Sequence, residues 1–206
     1  GTVYLLRALE NSSVQRLVYA SSMAVYGEAV GTPMNEGHPL DPASPYGIAK
    51  LAAERYILNV CPGLKIRPVI LRYFNTYGPR QTPSPYVGVM TIFIQNLQNE
   101  LPLTVFGDGE QVRDFVHVLD VADATVAAMR YEGESRVFNV GSGNGWSVNA
   151  VAREIQKAAG KDGKVLYAPP QPGEPRYTVA DVSLARKELG WIPNPDLSRH
   201  LPELIQ

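Results

Sequence analysis

Residues 16–22 read RLVYASS, and residues 44–50 read SPYGIAK. The apolar run at 16–20 predicts a buried strand that is followed directly by two serines. A proline just before Tyr46 suits a helix start, so the second stretch predicts a helix over about 46–60. Residues 68–73, PVILRY, again resemble a strand. Strand, helix and strand in this order predict a right-handed βαβ unit, and therefore an α/β fold with a parallel sheet.

The predicted helix places Tyr46 and Lys50 four residues apart, and so on one face. A tyrosine, with a pKa of about 10, is a poor base at neutral pH, but a neighbouring ammonium favours the phenolate. Ser22 falls at the carboxyl end of a strand, where parallel sheets bind ligands. Tyr-x-x-x-Lys alone often means a surface tyrosine beside a solvated lysine. Together with Ser22, it predicts a proton-transfer site made of Ser22, Tyr46 and Lys50.

The rest of the chain continues the alternation of helices and strands. Residues 2–11 look helical, and 79–88 form a Pro-rich loop. Beyond it the pattern predicts helices over 89–99 and 118–129, and strands over 103–106 and 136–140. Ser147 and Gly160 are suited to start and end a further helix between them.

Four more segments occur in the order and at about the spacing of a known family. They are 71–80 (LRYFNTYGPR), 105–109 (VFGDG), 112–118 (VRDFVHV) and 138–143 (FNVGSG). With the serine, tyrosine and lysine, the chain resembles the extended short-chain dehydrogenase/reductase superfamily. Within it, the chain is similar to the NAD-dependent sugar-nucleotide epimerases typified by UDP-glucose 4-epimerase. The resemblance implies a partial Rossmann-like parallel sheet in 1–78 and a smaller mixed α/β substrate domain, mainly in 79–206, interleaved with it.

The resemblance also implies roles for single residues. Tyr46 would be the catalytic base and acid, Lys50 its partner and a ribose ligand, and Ser22 would hold the substrate hydroxyl. All three would contact NAD. Phe74 would pack near the nicotinamide, although a core aromatic is a close alternative.

The residues implied for binding a nucleotide-sugar substrate, besides Ser22 and Tyr46, are Asn75, Leu103, Phe106, Arg113 and Glu174. Asn75 and Arg113 would bind the diphosphate, Phe106 would lie near the base, and Leu103 and Thr104 would contact it through their backbone. The alternatives are a turn cap for Asn75, an ion pair with Asp114 for Arg113, and core packing for Phe106. Where many relatives have arginine this chain has Gln171, which is no cationic phosphate ligand; Arg176 is a possible substitute.

Members of this family begin with a strand, a Gly-x-x-Gly-x-x-Gly turn and a helix that bind the cofactor pyrophosphate. This chain instead opens on a helix-like stretch, GTVYLLRAL at 1–9. We therefore expect an N-terminally truncated fragment that lacks about the first third and is inactive alone. The glycine-rich stretch 141–145 has the wrong spacing for the fingerprint and predicts a tight turn.

Composition is ordinary for a globular protein, with 45% hydrophobic and 19% charged residues. A net charge of −1 gives no reason to expect binding to nucleic acid or to a membrane. A single cysteine, Cys61, suits a reducing cytoplasm and predicts a buried structural thiol. His38, His117 and His200 are scattered, so no metal site is expected.

Met23 and Ala24 help to choose the reaction, because neither side chain can transfer a proton. Dehydratases of the superfamily have an Asp–Glu pair there, and decarboxylating members commonly have a glutamate. The resemblance therefore favours 4-epimerisation through a transient 4-keto sugar. A decarboxylase, a 4-ketosugar reductase and a non-catalytic sugar-nucleotide-binding protein stay open. The resemblance also suggests a homodimer built on two helices per subunit, one of them the Tyr46 helix.

Overall fold

The computed structural model describes residues 1–28, 31–82, 88–171, 173 and 175–205. Within these residues, the helices are α1 (Thr2–Leu9), α2 (Pro45–Gly63), α3 (Val89–Gln98), α4 (Val118–Arg130), α5 (Val148–Ala159), α6 (Ser183–Leu189) and α7 (Pro202–Ile205). The strands are β1 (Arg16–Ser22), β2 (Arg67–Tyr73), β3 (Asn75–Tyr77), β4 (Leu103–Phe106), β5 (Val112–His117), β6 (Val137–Val140), β7 (Gly145–Ser147), β8 (Val165–Ala168) and β9 (Tyr177–Thr178). A single 3-10 turn, Met23–Val25, follows β1.

The predicted βαβ unit is confirmed. Strands β1, β2 and β6 form a parallel sheet in that order, and α2 connects the first two strands. Side chains of β2 alternate between two cores. Ile70 joins Leu6 of α1 and Ile57 of α2 on one face, whereas Leu71 joins Ala124 of α4 on the other. Both faces are therefore covered by helices, as expected for a parallel sheet.

A second group of elements surrounds β5. This strand pairs in parallel with β3 and β9 and antiparallel with β7, while β4 pairs in parallel with β8. The hydrophobic core of this second group includes Phe93 of α3, Leu103 of β4 and Ile155 of α5. Phe74 and Phe138 share the other core although they lie on opposite sides of residue 78. That sharing fits interleaved domains, and the division at residue 78 stays a prediction.

The local helix signals are confirmed. The Ser44 hydroxyl accepts a hydrogen bond from Gly47 N at 3.1 Å, and the Ser147 hydroxyl accepts one from Ala150 N at 3.1 Å. Gly160 ends α5 with a φ of 60°, in the left-handed region that favours glycine. Strand β1 is two residues longer than predicted, because its two serines pair with the end of β2. The prediction that it is buried is wrong, since Ser21 is its only buried residue and the others are partly or fully exposed. Among the described helices, none combines the length and the apolar character that a membrane crossing needs.

Candidate active site

Ser22 ends strand β1, where the chain turns into the 3-10 turn. Its hydroxyl oxygen accepts a hydrogen bond from Ala24 N at 3.2 Å. The side chain is partly buried, and the accepted bond leaves its O–H group able to donate elsewhere. The end of β1 therefore presents a hydroxyl group at the carboxyl edge of the sheet.

Lys50 connects this strand to Tyr46. Its Nζ atom donates a hydrogen bond to Ala20 O at 2.7 Å, and it lies 5.6 Å from the centre of the Tyr46 ring. It also lies 5.1 Å from the Tyr19 ring, and burial lowers the pKa of Lys50. Tyr46 itself is 51% exposed. The ammonium is therefore fixed beside a phenol that is open to a ligand, as the helix spacing predicts.

Gly47 brings the start of α2 against the residues that follow Ser22. A Cβ atom at Gly47 would lie 2.2 Å from Ala24 O and 2.9 Å from Pro42 Cβ. Only a residue without a side chain allows this approach, because a Cβ atom at position 47 would push the start of α2 away from the backbone of Ala24. Tyr46 is thus held close to the turn that carries Ser22.

We expect Gly47→Ala to lower the free energy of unfolding by about 1–3 kcal/mol, the usual range for overpacking a tight site. The measurement is urea unfolding followed by circular dichroism. Gly63→Ala is the matched control at the other end of α2, because its added Cβ would meet no described atom within 4 Å. Equal stability of the two variants would contradict the tight contact.

A cleft of about 600 Å³ brings together three of the residues predicted to bind substrate. Asn75, Phe106, Arg113 and Gln171 all line it, and so does Thr104. Its volume is within the range of sites for small molecules. Asn75 follows β2 by two residues, and the last residue of β2 pairs with Ser22. The cleft therefore begins close to the end of the strand that carries the predicted catalytic serine.

Arg113 and Asp114 point to opposite faces of β5, as neighbours in a strand do. Asp114 is fully buried, and its carboxylate accepts hydrogen bonds from Ser142 N and Oγ (both 2.6 Å), Gly143 N (3.0 Å) and Ala180 N (3.1 Å). Burial raises the pKa of Asp114. The alternative of a surface Arg113–Asp114 ion pair is therefore wrong. The same bonds confirm that residues 141–144 form a structural turn.

Asn75 is not a cap of its own turn. Its Nδ2 atom donates a hydrogen bond to Asp114 O at 3.0 Å, across the β3–β5 pairing. Arg113 Nη1 donates one to Val112 O at 2.9 Å. These bonds orient the Asn75 amide and the Arg113 guanidinium along the wall of the cleft.

Other predicted residues lie elsewhere. Leu103 and Phe74 are buried in the two cores, where the whole residues are 0% and 3% exposed, and their predicted ligand contacts stay predictions. Glu174 lies outside the described residues, and its role stays a prediction. Arg176 pairs with Asp108 at 2.7 and 2.9 Å, an exposed pair that lowers the pKa of Asp108 to about 2.

The expectation that the histidines are scattered is wrong for His117 and His200. Their rings stack at 3.9 Å, and Glu203 Oε1 lies 3.0 Å from a nitrogen of each. Leu119 N donates to His117 Nδ1, so the ring proton of a neutral His117 is on Nε2, which then has no lone pair for a metal. Parallel rings also cannot direct two in-plane lone pairs at one ion. The carboxylate lies at the edge of the stacked rings: it is hydrogen-bonded to His200 Nδ1 at 3.0 Å, whereas His117 Nε2 has no hydrogen-bond partner among the described residues.

Sequence reasoning missed Glu54 and Arg72, which form a buried ion pair directly beneath the end of β1. The available signal was spacing, because Glu54 continues the Tyr46–Lys50 face by one more helical turn. Nothing in the local sequence indicated that Arg72, within an apolar strand, is its partner.

Known proteins resemble this chain along nearly its whole length. Residues 1–141 match the NAD dependent epimerase/dehydratase family. A UDP-glucose 4-epimerase of Azospirillum brasilense is 35% identical over 212 residues, which cover 95% of this chain and 61% of the relative.

Two solved structures are similar along almost the whole chain. UDP-glucose 4-epimerase of Thermotoga maritima with UDP-glucose is 35% identical with a TM-score of 0.94, covering 99% of this chain and 66% of that one. UDP-glucuronic acid 4-epimerase of Bacillus cereus, in complex with UDP-glucuronic acid and NAD, is 34% identical with a TM-score of 0.89, covering 99% and 65%. The chain thus spans less than two thirds of the length of each of these three proteins. It belongs to the NAD dependent epimerase/dehydratase family.

Proposed function

We propose that the protein to which this chain belongs is an NAD-dependent sugar-nucleotide 4-epimerase of the UDP-glucose/UDP-galactose type. The observation that carries the proposal is the position of Lys50, bonded at 2.7 Å to the strand that ends in Ser22 and beside the exposed Tyr46 ring. The neighbouring cleft, with Arg113 on its wall, suits the diphosphate of a nucleotide sugar. The names of the similar proteins support this substrate class.

The residues at the end of β1 fit the nicotinamide end of NAD. Lys50 uses one N–H donor on Ala20 O and keeps others for ribose hydroxyls, while Tyr46 is open to a ligand. Phe74 supports this end of the site from the core. When bound, NAD supplies a hydride acceptor that later returns the hydride.

The chain's own residues then move the proton and hold the substrate. The Tyr46 phenolate, stabilised by the Lys50 ammonium, takes the proton of the sugar C4 hydroxyl while Ser22 hydrogen-bonds that oxygen. C4 would become a ketone by giving its hydride to the acceptor that NAD would supply. Arg113 and Asn75 keep the diphosphate in place while the 4-keto sugar turns over, and Glu174 would hold ribose hydroxyls. Tyr46 returns the proton when the hydride arrives at the other face.

The direct test is conversion of UDP-galactose to UDP-glucose by the native gene product in the presence of NAD. We expect turnover with no net formation of NADH, because an epimerase regenerates its cofactor in each cycle. Stoichiometric consumption of NADPH with a 4-keto sugar nucleotide would identify a reductase instead. Release of carbon dioxide from a UDP-uronic acid would identify a decarboxylase, and binding without turnover a sugar-nucleotide-binding protein.

We also propose that the protein is a homodimer that uses α1 and α2. These adjacent helices expose several large apolar side chains, which is what a helix–helix interface between subunits requires. The exposed residues are Val3, Tyr4 and Leu5 on α1, and Ile48 and Tyr56 on α2.

Tyr4→Glu should convert the dimer to a monomer, because Tyr4 is 74% exposed and a carboxylate in an apolar interface would lose its hydration. The measurement is sedimentation velocity at several protein concentrations. Ile192→Glu is the control, since Ile192 is 69% exposed outside these two helices and should leave the mass unchanged. A Tyr4→Glu dimer, or a monomeric starting protein, would contradict this interface.

A cytoplasmic location is proposed as well. It is supported by Cys61, a free thiol of α2 that is buried in the core shared with α1 and β2. Burial raises its pKa, which is typical of a structural cysteine in a reducing compartment.

A further inference from the structure

A row of buried polar side chains crosses the parallel sheet just before its carboxyl edge. Ser21 of β1 is the register partner of Arg72 of β2, which is in turn the partner of Asn139 of β6. Their exposures are 3%, 3% and 0%. Ser22, the predicted catalytic serine, is the next residue after the first of them. The row therefore lies directly beneath the proposed active site.

Glu54 of α2 joins this row from the helix side. One carboxylate oxygen, Oε1, accepts hydrogen bonds from Ser21 Oγ at 2.5 Å and from Arg72 Nε at 3.1 Å. The other, Oε2, accepts one from Arg72 Nη2 at 2.8 Å. A carboxylate that accepts a guanidinium hydrogen bond at each of its two oxygens has a defined orientation as well as a defined distance. Glu54 is therefore fixed relative to two strands at once.

The guanidinium is held equally firmly on its far side. Arg72 Nη1 donates hydrogen bonds to the Tyr26 hydroxyl at 3.0 Å and to Glu36 O at 3.1 Å. The Tyr26 hydroxyl in turn donates one to Asn139 Oδ1 at 2.6 Å. Burial raises the pKa of Tyr26 to about 12, so this phenol stays a donor at physiological pH. The network connects α2 to all three strands of the sheet.

Stability alone is a poor explanation for such a pair. Taking both charges out of water is costly, and well-packed apolar residues in their place are often as stable or more so. What the pair provides is a defined position. Glu54 lies one helical turn after Lys50 and two turns after Tyr46, on the same face of α2. Fixing Glu54 to Ser21 therefore fixes Tyr46 and Lys50 against Ser22.

We propose that Glu54, through its bonds to Arg72 and Ser21, is a positioning residue that sets helix α2 so that Tyr46 and Lys50 face Ser22. The expected effect on catalysis rests on the proposed function. The expected effect on the position of α2 rests only on the contacts described above.

The decisive variant replaces the ion pair by apolar residues, Glu54→Leu with Arg72→Met. We expect it to fold with a melting temperature near that of the wild type, because no unpaired buried charge is left. We expect kcat to fall about 100-fold, as displacement of catalytic groups by about 1 Å typically costs. The KM for UDP-galactose should change little, because Arg113 and Asn75 are untouched. Should the double variant fail to fold, the alternative apolar pair Glu54→Met with Arg72→Leu, which also leaves no buried charge, is measured in the same way.

Ile57→Val is the matched control. Ile57 is fully buried on the next turn of α2 and packs in the apolar core, so the change lowers stability without touching the polar row. Its kcat should equal that of the wild type.

A crystal structure of the folded variant gives a readout that does not depend on activity. We expect the Lys50 Nζ to Ala20 O distance to lengthen from 2.7 Å to beyond hydrogen-bonding range. A variant with an unchanged distance would overturn the inference, as would one with wild-type kcat in an active enzyme. If the wild-type protein has no epimerase activity, the proposed function fails and this distance alone decides the inference.

Discussion

Tyr46→Phe should lower kcat for UDP-galactose epimerisation by about 10²–10⁴-fold, the usual contribution of a positioned proton-transfer group. The substitution keeps the ring and removes only the hydroxyl. Lys50 should keep its bond to Ala20 O, so the cofactor end of the site stays in place. Because the lost interaction acts in the transition state, kcat and kcat/KM should fall together while KM stays nearly constant.

Tyr56→Phe is the control for this experiment. Tyr56 lies on the same helix and is 52% exposed, against 51% for Tyr46, so any general effect of losing a tyrosine hydroxyl from α2 would appear in both variants. Steady-state rates of both should be measured at saturating NAD. Equal kcat values for Tyr46→Phe and wild type would remove Tyr46 from the catalytic role.

Arg113→Gln should weaken binding of UDP by roughly 10- to 100-fold. A hydrogen bond to a charged group contributes about 1.5–3 kcal/mol, and each 1.4 kcal/mol is a factor of ten. Glutamine keeps a polar side chain on the wall of the cleft but removes the positive charge proposed to bind the diphosphate. Calorimetric titration with UDP measures this without any need for turnover.

Arg176→Gln separates the two candidate phosphate ligands. Arg176 is held by Asp108 in an exposed bidentate pair, so its loss should leave the affinity for UDP unchanged. If Arg176→Gln weakened UDP binding as much as Arg113→Gln, the pair with Asp108 would not keep Arg176 away from the diphosphate. That outcome would also favour Arg176 as the replacement for the cation missing at Gln171.

Features with a local physical cause were predictable from the sequence. The Ser44 cap and the proline after it start α2 where the sequence indicates, because a side-chain oxygen and a fixed φ satisfy the first turn. Strand β4 has the predicted bounds, and Gly160 ends α5 as expected. The shortest strands, β3, β7 and β9, were not predictable. Each has only two or three residues and exists because β5 lies beside it.

The candidate site divides in the same way. The sequence by itself determined the βαβ order, the place of Ser22 at a strand end, and the common face of Tyr46 and Lys50, because strand and helix periodicities act over a few residues. Only the tertiary structure decided that Asn75, Phe106, Arg113 and Gln171 share one cleft, that Asp114 turns inward, and that Glu54 meets Arg72. These contacts join residues far apart in the chain. Strand register and helix packing determine these contacts, and neither can be predicted from a local pattern of residue types.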